Sequence, residues 1–369
     1  MSPTLEDRPQ GAAPYVSTGH LPPPELASAL VREAYERFKP VTEGRKSDVY
    51  PVLARAPADL FGVCVAAASG NLYAVGDVEH EFPVMSVSKP FVFALVCQHL
   101  GADRARETLG VNATGLPFNA LEAIERDESG KTNPMVNPGA IATSSLVPGS
   151  TAAERRRFIE EGLSRFAGRP LSLNEEVLAC AMQSNFRNRD IAARLRDHGR
   201  LGLDPDEALD LYTRQCSLNV SAKDLAVMGA TLANGGVNPL CGERVVDADS
   251  CKYALAVMAT AGLYETSGDW LYDVGLPGKS GISGGIVTVS PGKGGLGVLA
   301  PLLDDAGNSV KGQLVARFLS ERLGLSLFAS RPCGRNERSR DFWDSFVETG
   351  VIHRLPSESE AARHVDENG

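Results

Sequence analysis

Residues 84–101 read VMSVSKPFVFALVCQHLG. Two serines stand two apart, a lysine comes next, and an apolar run begins at once. Positions three apart share a helix face, so Ser86 pairs with Lys89 and Ser88 does not. Pro90 lacks an N–H and is tolerated only in the first turn of a helix, so a helix must begin within a few residues of Ser86. The hydroxyl then sits at the positive end of the helix dipole. A half-buried Lys89 beside it would have its ammonium disfavoured and its pKa lowered, and a neutral amine can take the proton from a serine. The plainer alternative is a serine N-cap and a solvated lysine. Ser-x-x-Lys by itself does not decide between the two.

Composition narrows the choice. A chain of 369 residues, 43% of them hydrophobic, can bury a sizeable core in one large domain or two intimate subdomains. The net charge of −9 argues against nucleic acid or an anionic membrane as the main partner. No apolar leader opens the chain and no apolar stretch is long enough to span a bilayer, so the expectation is a cytoplasmic protein. The seven cysteines are scattered without a CxxC pair and the six histidines without an HExxH. Neither a disulfide framework nor a metal site is expected, and nothing in the sequence calls for a cofactor.

Pattern along the chain gives the architecture. Residues 1–24 are rich in Pro, Gly and Ser and read as a disordered tail. ELASALVREAYERFK (25–39) has helical periodicity. LFGVCVAAASGNLYAV (60–75) reads as two strands turning at Ser69-Gly70-Asn71. About 90–235 is mostly helical, with starts at Asp204-Pro205 and Ser221 and a stop at Gly235-Gly236. YDVGLPGKSGISGGIVTVSPGKGGLGVLAPLL (272–303) alternates glycine turns with short β-branched runs and reads as antiparallel strands. VKGQLVARFLSERL (310–323) is a closing helix, and 326–369 is a charged tail. Strands early and late must meet in one antiparallel sheet flanked by helices, with a helical subdomain inserted between them: an α/β (α+β) fold. The folded domain is therefore expected at 25–325, with sheet parts at about 25–85 and 240–325 and a helical part at about 86–239. Gly292-Lys293-Gly294-Gly295-Leu296-Gly297 matches GxGxxG, but a strand pattern comes after it where a dinucleotide site needs a helix, so it reads as a hairpin turn.

A second short motif, Lys279-Ser280-Gly281, falls in a strand after a Gly-Leu-Pro turn, about 190 residues beyond the first. β-Lactamases and penicillin-binding proteins pair a Ser-x-x-Lys helix with such a strand. Longer stretches then resemble one family of that β-lactamase/DD-peptidase-like fold, the serine-dependent glutaminases. They are SVSK, NPMVNPGAI (133–141), RN (187–188), LDLYTRQCSLNVSAKDLAVMGATLANGG, GLYETSGDWLYDVGLPGKSGISGG and GNSVKG. The resemblance covers roughly residues 25–325. It implies Ser86 as nucleophile, Lys89 as its base and Tyr264 as a catalytic tyrosine. Asn137, Asn188, Tyr212 and Tyr50 would bind substrate, and the backbone of Ile282 would help hold the oxyanion. It also implies a small amide substrate, glutamine or a relative, and a homodimer or homotetramer.

The chain departs from the family pattern where the amino-acid end of glutamine would bind. Cys180-Ala181 stands where the family has Ser-Glu, Met85 where it has glutamine, and Pro138 where it has alanine. Removing one partner of a buried ion pair costs about 3–5 kcal/mol, so recognition of the ammonium of free glutamine is expected to be impaired. Three readings stay open: a glutaminase, a hydrolase or acyltransferase acting on a different carboxamide, and a catalytically inactive binding protein. A β-lactam-directed activity is weaker, because the asparagine-rich motifs suit a small polar amide.

Overall fold

The computed structural model describes residues 20–329 apart from Asp127, and the compact unit ends at Phe328. The tail expected at 1–24 lies outside the described residues up to position 19, and the one expected at 326–369 lies outside them from position 330.

Seven strands form in chain order among the described residues: β1 (Gly62–Ala67), β2 (Leu72–Gly76), β3 (Phe82–Pro83), β4 (Asn219–Val220), β5 (Gly278–Ser280), β6 (Gly285–Ser290) and β7 (Gly294–Leu299). Five make one antiparallel sheet in the order β2-β1-β7-β6-β5. The early hairpin and the late strands meet through β1 and β7, with Val65 opposite Leu296. β1 (GVCVAA) is buried along its whole length, the mark of a strand covered on both faces. Alternate residues serve the two layers. Val63, Val65, Leu296 and Val298 pack with Leu30, Val31, Val315 and Leu319 from the helices Pro24–Phe38 and Val310–Arg322. On the other face Cys64 and Ala66 meet Ala226 and Ala230 of the helix Ala222–Ala233.

That last helix begins with a capping box: the Ser221 hydroxyl accepts from the Asp224 N–H, and the Asp224 carboxylate accepts from the Ser221 N–H. It then lies directly on β7. A Cβ added at Gly297 would come within 2.1 Å of the Ala222 carbonyl oxygen, and one at Gly295 within 2.4 Å of the Ala226 carbonyl. The glycines of the GKGGLG stretch therefore flatten one strand face so that a helix backbone can touch it. Gly292, at φ +76°, turns the hairpin before them.

One stretch departs from its expected form. Tyr272-Asp273-Val274 ends the helix Ser267–Val274 and is not strand. Trp270 and Val274 of that helix face the core while Tyr272 is exposed, so the apolar spacing is helical. Gly275, left-handed at φ +69°, stops the helix. The helices of the middle segment, which separate the two halves of the sheet in chain order only, pack on the buried helix Lys89–Leu100. No helix among the described residues is long and apolar enough to cross a membrane.

Gly297→Ala is expected to destabilise the chain by ~2 kcal/mol or more, because the atoms it meets are helix backbone. Urea unfolding measures this, and a loss below about 0.5 kcal/mol would show that the helix can lift off the strand.

Candidate active site

The stretch around Ser86 forms one 3₁₀ turn, Met85–Ser88, that runs straight into the helix Lys89–Leu100. Side chains three apart lie on one side of such a turn, which puts Ser86 and Lys89 on the same side of the chain. Met85 enters the turn at φ +48°; it and Tyr264, at φ +59°, are the non-glycine residues with positive φ among those described. Such backbone is strained for residues with a Cβ and must be held by its surroundings. Ser88 does the holding at Met85. Its buried hydroxyl donates to the Met85 carbonyl (2.8 Å) and accepts from Gln215 Nε2 (3.3 Å), while Gln215 Oε1 accepts from Ser144 (2.9 Å). Of the two serines, Ser88 is thus occupied by structure and Ser86 borders open space. The Val84 N–H donates to the Leu218 carbonyl (2.8 Å), and β3 pairs with β4, so the turn is tied to both halves of the molecule.

At Tyr264 the Ser267 hydroxyl donates to the residue's own carbonyl (2.7 Å). Asn308 fastens the neighbourhood: it accepts from the Ser280 hydroxyl and donates to Thr266 (3.0 Å). Gly281 presses against the serine turn, where an added Cβ would lie 3.1 Å from the Val84 carbonyl. The end of β5 and the Ser86 turn are therefore in contact.

Ser86 opens into a cavity of about 240 Å³, lined also by Tyr50, Asn137, Asn188, Tyr212 and Ile282. Lys89 lies beneath, fully buried and not half-buried as the sequence suggested. Its Nζ donates to Asn137 Oδ1 (2.7 Å) and to the Met135 carbonyl (3.3 Å). Asn137 Oδ1 also accepts from the Tyr212 hydroxyl (3.0 Å). From Asn137 a directed chain of amides crosses the cavity wall: Asn137 donates to Asn188 (3.0 Å), Asn188 to Asn185 (2.9 Å), Asn185 to Thr213 (2.9 Å), and Thr213 to the Leu209 carbonyl (2.7 Å). With Lys89 Nζ and the Tyr212 hydroxyl both donating to Asn137 Oδ1, the Asn137 NH2 is turned toward Asn188, and the amides beyond it are aligned in the same direction. The eight residues singled out from the sequence lie together: six line the cavity, and Lys89 and Tyr264 are buried against it.

Burial sets the ionisation of the groups. It brings the Lys89 amine down to about 7. It holds Lys279 well below its ordinary value, with nearby Lys89 adding to the effect. The Lys279 amine donates to the Ser280 carbonyl (2.7 Å) and lies 4.0 Å from the centre of the Tyr264 ring. Desolvation pushes the phenols of Tyr50 and Tyr264 up to about 12, and that of Tyr212 well above its ordinary value. The Tyr264 hydroxyl donates to the Ser280 carbonyl (3.4 Å), and the nearby Ser86 side chain partly offsets its rise.

Sequence reasoning missed Phe118, Asn119, Arg187, Thr213 and Cys216, all of which line the cavity. Helical spacing from Tyr212 could have found Cys216, four residues on; Thr213 carries no such signal. Phe118 and Asn119 sit outside helices and strands and carry no such signal. The departures fall on the site too: Met85 and Ala181 both line the cavity, Ala181 at 3% exposure. Pro138 sits in the first turn of the helix Asn137–Ser144, where proline is tolerated. Among the described residues no cluster of His, Cys, Asp and Glu could hold a metal ion.

The family model described as Glutaminase matches residues 44–328. Glutaminase 2 of Yersinia pestis is 68% identical over 327 residues, covering 89% of this chain and 96% of that one. A solved structure described as a probable glutaminase superposes with a TM-score of 0.82 at 41% identity, over 83% of this chain and 99% of that one. The protein Mglu, solved in its glutamate form, gives a TM-score of 0.78 at 36% identity, over 83% and 71%. These solved structures share the β-lactamase-like fold seen here.

The buried amine should leave a mark on stability. The Lys89 pKa is lowered on folding, so the unfolded chain binds its proton more tightly and stability falls as pH drops from about 10.5 to about 7. Lys89→Met removes this penalty. Its stability relative to the parent should therefore increase by ~4 kcal/mol between pH 10.5 and pH 6.5. A difference that does not change with pH, measured by denaturant unfolding across that range, would contradict the burial of an amine there.

Proposed function

Because the chain belongs to the glutaminase family and is an amidohydrolase, we propose that it hydrolyses L-glutamine to L-glutamate and ammonia through an acyl-enzyme on Ser86, with Lys89 as the base. The observation that carries this reading is the hydrogen bonding of Lys89. A neutral amine has two N–H donors and one lone pair. The donors are engaged by Asn137 Oδ1 and the Met135 carbonyl, which leaves the lone pair free to take a proton from Ser86, three residues earlier on the same side of the chain. With its pKa near 7, a large fraction of Lys89 is neutral at physiological pH, and it remains basic enough to accept that proton.

In this mechanism Ser86 Oγ attacks the side-chain carboxamide carbon. The backbone N–H groups of Ser86 and Ile282 take the developing oxyanion, each worth about 3–4 kcal/mol of transition-state stabilisation. The phenol of Tyr264, kept neutral by burial, passes a proton to the departing ammonia and recovers one from the Lys89 ammonium, which returns the amine to its neutral form. Water then attacks the ester with Lys89 again as base, and the proton it takes goes back to Ser86 Oγ as glutamate leaves. Asn137, Asn188, Tyr212 and Tyr50 orient the substrate from the cavity wall. Mglu, solved in its glutamate form, supports a site of this fold that accommodates the product. We also read the working enzyme as a cytoplasmic homodimer or homotetramer, on the family resemblance and on the free cysteines among the described residues.

An electrophilic glutamine analogue should label Ser86 and no other residue, as peptide mass spectrometry would show; a folded chain that takes no label argues for a binding protein without activity. The kcat/KM for ammonia release should rise with pH along a limb centred near 7. A limb centred below about 5 would point to a carboxylate base instead.

A further inference from the structure

The cavity has two walls of different chemistry. One carries the amide chain Asn137, Asn188 and Asn185 with Tyr212. The other is apolar: Met85 and Val177 are buried together with Leu53, and Tyr50, Val52 and Ile282 pack against them. Ala181, one helical turn from Val177 on the helix Glu175–Ser184, extends this wall with a methyl group. Among the described residues lining the cavity there is no aspartate or glutamate, and the one side chain with a permanent charge is Arg187. Its Nε donates to the Asn119 carbonyl (3.0 Å), and its guanidinium is otherwise exposed at the rim. The carboxylate of Glu176, on the same helix as Ala181, is taken up in an ion pair with Arg55 on the surface.

An α-ammonium entering this cavity would shed water against methyl and thioether groups and gain no carboxylate. A carboxylate on the ligand could instead be taken up at the rim by the Arg187 guanidinium, the permanent positive charge on the lining. Deepening the proposed function, and resting on it, we infer that the site accepts, at least as well as glutamine, ω-carboxamides whose far end carries a carboxylate but no free ammonium, with hydrogen, a carbonyl or an acylated nitrogen in its place. Glutaramate, the monoamide of pentanedioic acid, is the simplest member of that class. The chemistry is unchanged: the Ser86 Oγ–carbon bond forms, the carbon–nitrogen bond breaks, ammonia leaves with the proton relayed from Ser86, and water releases glutarate and restores the serine.

The test is ammonia release by the full chain, with kcat/KM measured for glutaramate and for L-glutamine under one set of conditions. The expected result is a glutaramate value equal to or above that for glutamine. A preference for glutamine beyond about threefold overturns the inference and leaves the Ser86 mechanism standing. Release from neither compound, together with absence of a Ser86 adduct, removes the proposed function and the inference with it. Ala181→Glu gives an independent arm, since it returns a carboxylate to the apolar wall. It should shift the ratio of the two kcat/KM values toward glutamine by about tenfold or more, mainly through KM. A folded variant with an unchanged ratio would show that this wall does not face the substrate's α-carbon, and would likewise overturn the inference.

Discussion

A single amine buried where water cannot reach it organises this molecule. Lys89 sits at the start of an apolar helix whose first nine residues are buried, and no carboxylate among the described residues pairs with it. It is retained by two carbonyl oxygens, those of Asn137 and Met135. The low dielectric makes its charged form costly and its neutral form a base. The same amine donates to the first amide of the chain along the cavity wall, so the basic group and the wall share one hydrogen-bond network.

Positioning such a group needs rigidity from several directions. The serine turn is fixed below by Ser88 and Gln215, beside by β3 paired with β4, and in front by Gly281 at the end of β5. Strain is concentrated at Met85 and Tyr264, the residues that flank Ser86 in sequence and in space. The five-stranded sheet supports this arrangement because a helix lies flat on its glycine-faced strand β7. Fold and site are thus coupled through β5, β6 and β7, where a glycine turn or flat face serves each close approach.

Much of this is legible in the sequence because its signals are local. The spacing of Ser86 and Lys89, the Ser69–Asn71 turn, the starts at Asp204 and Ser221, and the strand carrying Lys279 each depend on a few consecutive residues. The GKGGLG stretch can be recognised as a hairpin from the strand pattern on its C-terminal side. The reason for its glycines, contact with a helix far earlier in the chain, cannot. Tyr272–Val274 escapes a sequence reading because three residues of mixed polarity fit both a strand and a helix end. The roles of Gln215, Asn185 and Thr213 are hidden, since hydrogen bonds across 28 to 127 residues leave no periodic trace. The complete burial of Lys89 exceeds the sequence expectation for the same reason: its cover comes from Asn137, Tyr212 and Tyr264, on segments far away in the chain.

The most direct test is the titration of Lys89 itself, tracked by NMR of chain labelled with ¹³C at the lysine ε-carbon and assigned by comparison with a Lys89→Arg variant. The account predicts a midpoint near 7 for this resonance, well separated from the surface lysines. A midpoint near 10, the ordinary range for a solvated amine, would contradict it.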